Sequence, residues 1–273
     1  MSETTNISNA RKITEAAIML ALATVLSLIK LLDLPYGGSV TIASMLPVII
    51  IAYRHGVKFG LLTGLVFGII QQLLDLNTLS YVTSWQSVLA VILLDYIIAF
   101  LVLGFGGTFR NLSSQSSALL AGTVFACILR YMCHVISGAT VWAGLSIPTN
   151  AALIYSIGYN ATYMIPETIV TAVVAYYIGS MLDLKSDNIT QLRRSEDNHT
   201  PVLKWVGGLL LAGALVFDVR TVFSNIQNAD SGEFDVTGFA NVNWVIIAVI
   251  SIIAIIAAFI LFTLASRQKA QNE

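Results

Sequence analysis

The stretch WQSVLAVILLDYIIAFLVLGF, residues 85–105, decides the fold, because its almost unbroken apolar sequence contains a single charged side chain, Asp95. About 20 helical residues cross the ~30 Å hydrocarbon core of a bilayer. Lipid offers no hydrogen-bond partners, so a run of this length must satisfy its backbone as a helix. The segment is therefore predicted to span a membrane with an acid near its centre.

The composition of the whole chain agrees with this prediction. Of the 273 residues, 56% are hydrophobic and 11% are charged, and the mean hydropathy is +0.81. A soluble domain carries about 25% charged residues. A soluble enzyme, a nucleic-acid-binding protein and a disordered chain are thereby excluded. Cys127 and Cys133 fall in one apolar span, so they provide no disulfide framework.

Seven further apolar runs flank the quoted stretch and predict an all-α, polytopic membrane helix bundle. They are 13–32, 40–53, 57–74, 117–141, 151–182, 203–223 and 242–265. A polar, charged stretch follows the sixth span and is typical of a linker. The predicted organisation is a six-span core over 1–184, a cytoplasmic linker over 185–202, and a membrane extension of two helices over 203–273.

The basic residues predict the orientation of these spans, because cytoplasmic loops are enriched in Lys and Arg. With the N-terminus inside, the cytoplasmic segments hold Arg11, Lys12, Arg54, Lys58, Arg110, Lys185, Arg193, Arg194, Lys204, Arg267 and Lys269. The opposite side holds Asp33, Asp75, Asp218, Asp230, Glu233 and Asp235. Both termini are expected in the cytoplasm.

Charged residues inside spans are costly and usually functional. Asp95 lies in mid-span, where it either pairs with Arg130 or binds a cationic or amine-bearing ligand. The two roles are compatible, and the ligand role is favoured. Glu15 lies in the first turn of its helix, where the helix dipole favours an acid. Glu167 follows Pro166 and is expected at a kink, with an interhelical partner.

The fifth span carries the sharpest pattern. Arg130, His134, Gly138 and Trp142 recur every four residues and so share one helix face over roughly 18 Å. Taken singly, the glycine could serve close packing, the tryptophan an interface anchor and the histidine a satisfied core position. Together, in register, they predict a binding face.

Other residues extend this prediction. Tyr155 and Asn160 place a phenol and an amide in the sixth span, and Trp85 begins the fourth as either an interface residue or a lid. Two stripes of small residues point to close helix contacts. One is Ala17 and Ala21 in the first span, and the other is Gly60, Gly64 and Gly68 in the third, for which internal packing is the favoured explanation.

Familiar catalytic motifs do not occur in the sequence. It contains no GxxxxGK[ST], HExxH, paired-cysteine metal site or Gly-x-Ser-x-Gly. The three histidines are too scattered for a metal cluster. We therefore expect no enzymatic activity, no cofactor and no metal.

The chain resembles a known family in three places. These are the run LPYGGSVTIASMLPVIIIAYRHGVKFGLLTGLVFGIIQ (34–71), the LLDY of the fourth span, and the four-residue stripe followed by Tyr155 and Asn160. Together they are similar to the thiamine-specific S component of energy-coupling factor transporters. The resemblance covers about residues 11–183 and leaves the last two spans outside it.

The resemblance implies a binding subunit in a prokaryotic plasma membrane. It would bind thiamine tightly and transport only with a membrane coupling subunit (T component) and two ATPases. The implied substrate-binding residues are Asp95, Tyr96, Arg130, His134, Gly138, Trp142, Tyr155 and Asn160, and Trp85 is a further candidate. Ala17 and Ala21 match the AxxxA surface that docks on the coupling subunit.

Three departures from the family accompany the resemblance. Asp95 stands where a glutamate is usual, Gly38 stands where some members have a tryptophan, and the two C-terminal spans are not part of the usual core. Arg130 stands where a lysine is found in some members.

The chemistry of thiamine suits these residues, because aromatic faces attract its cationic thiazolium and an acid can balance its charge. Two competing hypotheses remain. One is an autonomous proton-coupled carrier of a cationic, vitamin-like molecule, and the other is an intramembrane enzyme that uses Asp95 and His134.

Overall fold

The computed structural model describes residues 8–34, 37–82, 84–144, 149–192, 200–226 and 241–271. The chain forms two compact units, Met1–Leu192 and Arg193–Glu273. Helices dominate both, which confirms the predicted all-α, polytopic bundle. The first unit ends at Leu192, which is later in the sequence than the predicted boundary at Leu184.

The first unit contains the predicted six helical segments. They are α1 (Asn9–Leu28), α2 (Leu46–His55), α3 (Val57–Leu74), a composite segment Trp85–Gly107, α6 (Gln115–Gly144) and α7 (Thr149–Met181). A 3-10 helix, Leu76–Tyr81, follows α3.

The first predicted span was too long at its C-terminal end. Ser8 caps α1 by accepting from the Arg11 backbone N–H, but the helix ends at Leu28. The strand β1 (Lys30–Asp33) then pairs antiparallel with β2 (Ser39–Thr41). We call the described residues 30–34 and 37–41 the hairpin. It forms because Gly37 and Gly38 adopt positive φ angles that reverse the chain.

The second predicted span began too early, since residues 39–41 are a strand and α2 starts at Leu46. Every residue of α2 from Leu46 to Arg54 is buried. A helix that is hydrophobic all round belongs in a protein interior, which explains how a ten-residue helix persists here. Gly56, at a φ of 94°, makes the tight turn to α3.

Glycines bring α3 into backbone contact with the composite segment. A Cβ on Gly64 would lie 2.4 Å from the Phe100 carbonyl oxygen, and one on Gly68 would lie 2.7 Å from that of Tyr96. On the other segment, a Cβ on Gly104 would lie 2.5 Å from the Gly60 carbonyl carbon. The prediction that these glycines serve internal packing is confirmed.

The composite segment is not the regular α-helix that the sequence predicted. It begins as α4 (Trp85–Ala90), widens into a π-helix over Val91–Ile98, and returns through α5 (Ala99–Leu101) to a 3-10 helix, Val102–Gly107. Stretches of π-helix are rare and often mark functional sites. Asp95 lies within this one.

Arg54 joins three parts of the first unit. We call the end of the unit that holds Arg11, Arg54 and Lys185 the basic end. The buried guanidinium of Arg54 donates to Glu15 Oε1 at 3.0 Å, and to the carbonyl oxygens of Leu184 at 2.7 Å and Ser186 at 3.1 Å. Glu15 also contacts His55 Nε2 at 2.6 Å. Because α1 begins at Asn9, Glu15 lies in the second turn of the helix, and its predicted place in the first turn was wrong. It serves instead as the partner of the buried Arg54 guanidinium and of the His55 ring.

These contacts move the end of the first unit beyond residue 184. Strands β3 (Leu182–Asp183) and β4 (Thr190–Gln191) pair antiparallel, and Arg11 donates to the Asp187 carbonyl oxygen. The first part of the predicted linker thus packs on the core. Its residues 193–199 lie outside the described part of the chain.

The second unit is an antiparallel pair, α8 (Thr200–Ile226) and α9 (Trp244–Gln271). Small residues line the contact, where a Cβ on Gly207 would lie 2.8 Å from the Phe262 ring. Asp218 was expected in an outer loop but lies within α8, where Ser251 donates to it at 2.5 Å. The other acids of that predicted loop, Asp230, Glu233 and Asp235, lie outside the described residues.

Six described helical segments are long and apolar enough to cross a membrane. They are Val57–Leu74, Trp85–Gly107, Gln115–Val141, Ala152–Met181, Val202–Val222 and Trp244–Ala265. The other two of the eight predicted spans correspond to α1 and α2. The first two turns of α1 contain three charged residues, Arg11, Lys12 and Glu15. The helix α2 is too short to cross a bilayer alone.

The contacts of Arg54 generate a prediction about truncation. Arg54 also donates to the Asp187 carbonyl oxygen at 3.2 Å. A chain ending at Leu192 keeps all the carbonyl partners of Arg54, whereas one ending at Leu184 loses those of Ser186 and Asp187. Hydrogen bonds to a charged group contribute about 1.5–3 kcal/mol. The shorter chain should be destabilised by about that amount, measured by thermal unfolding in detergent. Equal melting temperatures for the two chains would contradict this role of residues 185–192.

Candidate functional site

The candidate site is built around the carboxylate of Asp95. One oxygen, Oδ1, lies 2.7 Å from His134 Nδ1, and the other, Oδ2, accepts from Ser137 Oγ at 2.6 Å. Both partners are on α6, so the π-helix and α6 are joined through this acid. The Asp95 side chain keeps 23% of its surface exposed, and a carboxylate has about four lone-pair positions. It can therefore accept further hydrogen bonds.

Arg130 fixes the protonation state of His134, which lies between Arg130 and Asp95. Its Nε, which can only donate, lies 3.0 Å from His134 Nε2. The imidazole must accept at Nε2, so its proton is on Nδ1 and is donated to Asp95. His134 is thus neutral and bridges the cation to the acid. Arg130 and Asp95 are not directly paired, which corrects the simple ion pair considered from the sequence.

The guanidinium of Arg130 also contacts an aromatic ring, with its central carbon 4.2 Å from the centroid of Phe100. Such cation–π contacts are favoured when the cation is desolvated.

Asn160 joins α6 to α7. Its Nδ2 donates to the His134 carbonyl at 3.2 Å and to the carbonyl and hydroxyl of Ser156 at 2.9 and 3.0 Å. Its Oδ1 accepts from the Tyr163 hydroxyl at 2.6 Å. The amide is therefore fully engaged within the protein.

Gly138 permits this close helix pair. A Cβ at that position would lie 2.4 Å from Ser156 Oγ and 3.1 Å from Asn160 Nδ2. The structure thus gives Gly138 a packing role, which was the alternative considered for it alone. Its predicted contact with a ligand stays a prediction.

Two tyrosines carry the site from α7 to the hairpin. The Tyr163 ring packs edge-on against His134, with centroids 5.8 Å apart, and Tyr159 packs on Tyr163 at 6.3 Å. The Tyr159 hydroxyl donates to the Gly37 carbonyl at 2.7 Å. A Cβ on Gly38 would lie 2.5 Å from the Tyr163 ring. The absence of a side chain at Gly38 therefore lets the hairpin lie directly on α7.

Glu167 holds the base of the same hairpin. Its carboxylate accepts from the Thr41 backbone N–H at 2.5 Å and from the Thr41 hydroxyl at 2.7 Å. The expected partner on another helix is instead a strand residue. Pro166 lies inside an uninterrupted α7.

Tyr96 turns away from its neighbour Asp95 and toward the end of α3. Its hydroxyl donates to Asp75 Oδ2 at 2.7 Å and lies 3.2 Å from Thr78 Oγ1. Gly37 of the hairpin lies against the Thr78 side chain. These contacts lead from Asp95 through α6, α7 and the hairpin to Thr78 and Tyr96. Because Asp95 and Tyr96 are neighbours in the chain, the contacts form a nearly closed ring around one end of the first unit.

The structure brings together Asp95, Arg130, His134 and Asn160 as the sequence predicted, with Gly138 beside them. Trp85 is 69% exposed at the start of α4 and is not enclosed by this cluster. Tyr155 is half-buried on α7. Trp142 follows Gly138 by one turn on α6, and its side chain lies outside what the structure describes.

Sequence reasoning missed Ser137, Asp75 and Thr78. Ser137 is buried beside Gly138 and resembles one more small packing residue. Asp75 and Thr78 lie just beyond α3, and nothing in their spacing links them to Tyr96. No group of metal-ligating side chains is found among the residues that the structure describes.

The packing of Gly138 generates a prediction. Gly138→Ala should destabilise the protein by about 1–3 kcal/mol, because the new methyl group overpacks the contact with Ser156. Thermal unfolding in detergent measures this. Gly158→Ala on α7 is a matched control with no neighbour within 4 Å of its Cβ, and it should be neutral or slightly stabilising. A G138A variant as stable as the parent would show that α6 and α7 are not closely packed there.

The chain is similar to known proteins over most of its first unit. Residues 13–186 match the family model described as thiamine transporter protein (Thia_YuaJ). The chain is 38% identical over 175 residues to the thiamine transporter ThiT of Bacillus subtilis, a match that covers 60% of this chain and 87% of that protein.

A solved structure of ThiT from Listeria monocytogenes shares the fold. It has a TM-score of 0.50 at 23% identity, and the match covers 62% of this chain and 92% of that one. The family match lies entirely within the first unit, which holds the Asp95 site. The chain therefore belongs to the thiamine transporter protein (Thia_YuaJ) family.

Proposed function

We propose that this chain is a thiamine-binding S component, which imports thiamine only together with a coupling subunit and two ATPases. The observation that carries the proposal is the Asp95 carboxylate. It is held inside a helix bundle by His134 and Ser137 and keeps lone pairs to spare. The family of this chain and its Bacillus subtilis relative are named as thiamine transporters.

The site suits a ligand with a fixed positive charge and an amine. A cation or an amine can lie at Asp95, where the protein already holds both carboxylate oxygens in place. The Tyr159 and Tyr163 rings offer aromatic faces, and we infer that Trp142 adds another. Because His134 is neutral and Arg130 stacks on Phe100, the acid is not neutralised by a direct ion pair.

The outward face of α1 supports a docking role. Ala17 and Ala21 are exposed, whereas Ala16, Ala23 and Ser27 face the core. Exposed apolar residues flank the two alanines, among them Ile18 and Leu22. Helices associate in lipid through close approach at small residues. We propose that this face receives the coupling subunit.

We further propose that both termini are cytoplasmic. The basic end of the first unit, with Arg11, Arg54 and Lys185, would then face the cytoplasm, in agreement with the positive-inside rule. The hairpin and the Tyr96–Asp75 contact would lie toward the outside, where the substrate arrives.

Binding tests the site. Asp95→Ala and Trp142→Ala should each weaken thiamine binding roughly 10- to 150-fold, because a buried charge-assisted contact contributes about 1.5–3 kcal/mol. Calorimetric titration of the purified chain measures this without relying on tryptophan emission. Asp33→Ala is a control, since the partner of its carboxylate among the described residues is the exposed Lys30. Parental affinity in both site variants would show that the site is wrongly placed.

Partner docking is tested separately. Ala17→Trp and Ala21→Trp should abolish co-purification with the coupling subunit and abolish uptake, while thiamine binding by the isolated chain is unchanged. Val66→Trp places the same bulk on the exposed face of α3 and should leave uptake intact. Loss of ligand binding in the α1 variants would instead mean that the alanines support the fold of the site.

Uptake by the purified chain alone distinguishes an autonomous carrier from an S component. The Arg130–His134–Asp95 chain of hydrogen bonds is also an arrangement that a proton-coupled carrier could use. Thiamine uptake into vesicles containing only this chain, driven by a pH gradient, would favour that function. Tight binding without uptake would favour the S component.

A further inference from the structure

We infer that the surface around Lys58 and Arg110, at the basic end of the first unit, binds the phosphate head group of an anionic phospholipid. Both side chains are exposed. Among the described residues, neither forms an ion pair with a carboxylate. Their charges are therefore available to a partner outside the fold. This inference goes beyond thiamine transport and does not depend on it.

The positions of the two residues relative to the membrane spans set the depth of this surface. Lys58 is the second residue of the span Val57–Leu74, and Arg110 lies three residues beyond the span Trp85–Gly107. The ends of a span lie at the level of the lipid head groups, because the apolar part between them fills the hydrocarbon core. Both cations are therefore at the depth of the lipid phosphates, whichever side of the membrane this end faces.

Gly56 brings the two cations close to each other. Its positive φ makes the turn into α3, and a Cβ at this position would lie 3.0 Å from Arg110 Nη1. The other terminal nitrogen, Nη2, donates to the Arg54 carbonyl at 3.5 Å. The guanidinium is thus held over the turn. Lys58 follows Gly56 by two residues, and its flexible four-carbon stem is long enough to reach an anion bound at Arg110.

Two carboxylates of the basic end are engaged elsewhere. Glu15 pairs with the buried guanidinium of Arg54. Asp183 Oδ1 accepts from the backbone N–H groups of Lys185 and Ser186 at 3.0 and 3.2 Å. The Lys185 side chain is exposed and adds a further positive charge to this end. The charges thus favour an anion as the partner, and a guanidinium is well suited to bind a phosphate through paired hydrogen bonds.

The apolar face of α3 identifies this anion as a lipid. Leu62, Ile69 and Leu73 are exposed and follow Lys58 along one side of the helix, at spacings of four, seven and four residues. This stripe crosses the hydrocarbon core, where acyl chains lie. A molecule with a phosphate and acyl chains matches both parts of the surface, whereas a free phosphate matches only the cations.

Lipid binding by the purified chain tests the inference. Phosphatidylglycerol is the probe, and phosphatidylcholine, whose head group has no net charge, is the comparison. Each lipid is titrated into the chain in detergent, and native mass spectrometry counts the lipids bound. The parent should bind phosphatidylglycerol more tightly than phosphatidylcholine. Lys58→Gln and Arg110→Gln should each weaken phosphatidylglycerol binding about fivefold, and the double variant about 30-fold, as expected for basic side chains near anionic lipid.

Two matched variants control for general effects of charge. Lys204→Gln removes an exposed cation at the start of α8 and should bind phosphatidylglycerol as the parent does. Lys58→Arg keeps the charge and should also retain parental binding. Thiamine affinity should be unchanged in every variant, because the substituted side chains are exposed and lie outside the Asp95 cluster. This measurement separates a lost lipid site from a misfolded chain, and the single variants decide if the double variant misfolds.

Several results would overturn the inference. One is equal binding of the two lipids by the parent, and another is parental phosphatidylglycerol binding in the folded double variant. Displacement of the lipid by an equal concentration of inorganic phosphate would show a site for a free anion. Variants that keep lipid binding but no longer co-purify with the coupling subunit would show a protein-binding surface instead. A parent that binds phosphatidylglycerol as expected but does not bind thiamine would contradict the proposed function and leave this inference in place.

Discussion

A carboxylate inside a membrane helix must be satisfied by its own protein, and this requirement organises the first unit. Asp95 is held by His134 and Ser137, and the histidine is held in turn by Arg130. These contacts fix the π-helix against α6. The Asn160 bond to the His134 carbonyl then brings in α7. A single polar chain thus sets the relative positions of three membrane segments, where lipid supplies no hydrophobic force between helices.

The two ends of the unit are closed by different means. At the basic end, Arg54 gathers α1, α2 and the segment after α7 through Glu15 and backbone carbonyls. At the opposite end, Glu167 and Tyr159 hold the hairpin on α7. Between the ends, the glycines of α3 let backbones meet directly. The polar contacts thus close the two ends of a unit whose middle is packed through glycine.

The sequence predicted the helices well because the length of a hydrophobic run is a local signal. It did not predict the hairpin, whose stability depends on Glu167, more than a hundred positions away along the chain. The π-helix was equally hidden, because its residues read as an ordinary apolar span.

For the site, the four-residue spacing on α6 correctly placed Arg130 and His134 on one face. The direct pair of Asp95 with Arg130 that was considered from the sequence is replaced by a contact through His134. The spacing could not show that Tyr96 points to α3 or that Gly138 serves packing. Backbone geometry decides the first, and the facing residue Ser156 decides the second. Ser137 was overlooked because a serine in a membrane helix is usually unremarkable until its partner is seen.

The short side chain at position 95 has an evolutionary consequence. Both of its oxygens lie within 2.7 Å of partners on α6, so a glutamate there would push its carboxylate into His134 and Ser137. A homologue with the longer acid must rearrange this contact, by changing residue 137 or by shifting α6. Positions 95 and 137 should therefore vary together among related sequences. An exchange of aspartate for glutamate at position 95 should be accompanied by a change at position 137.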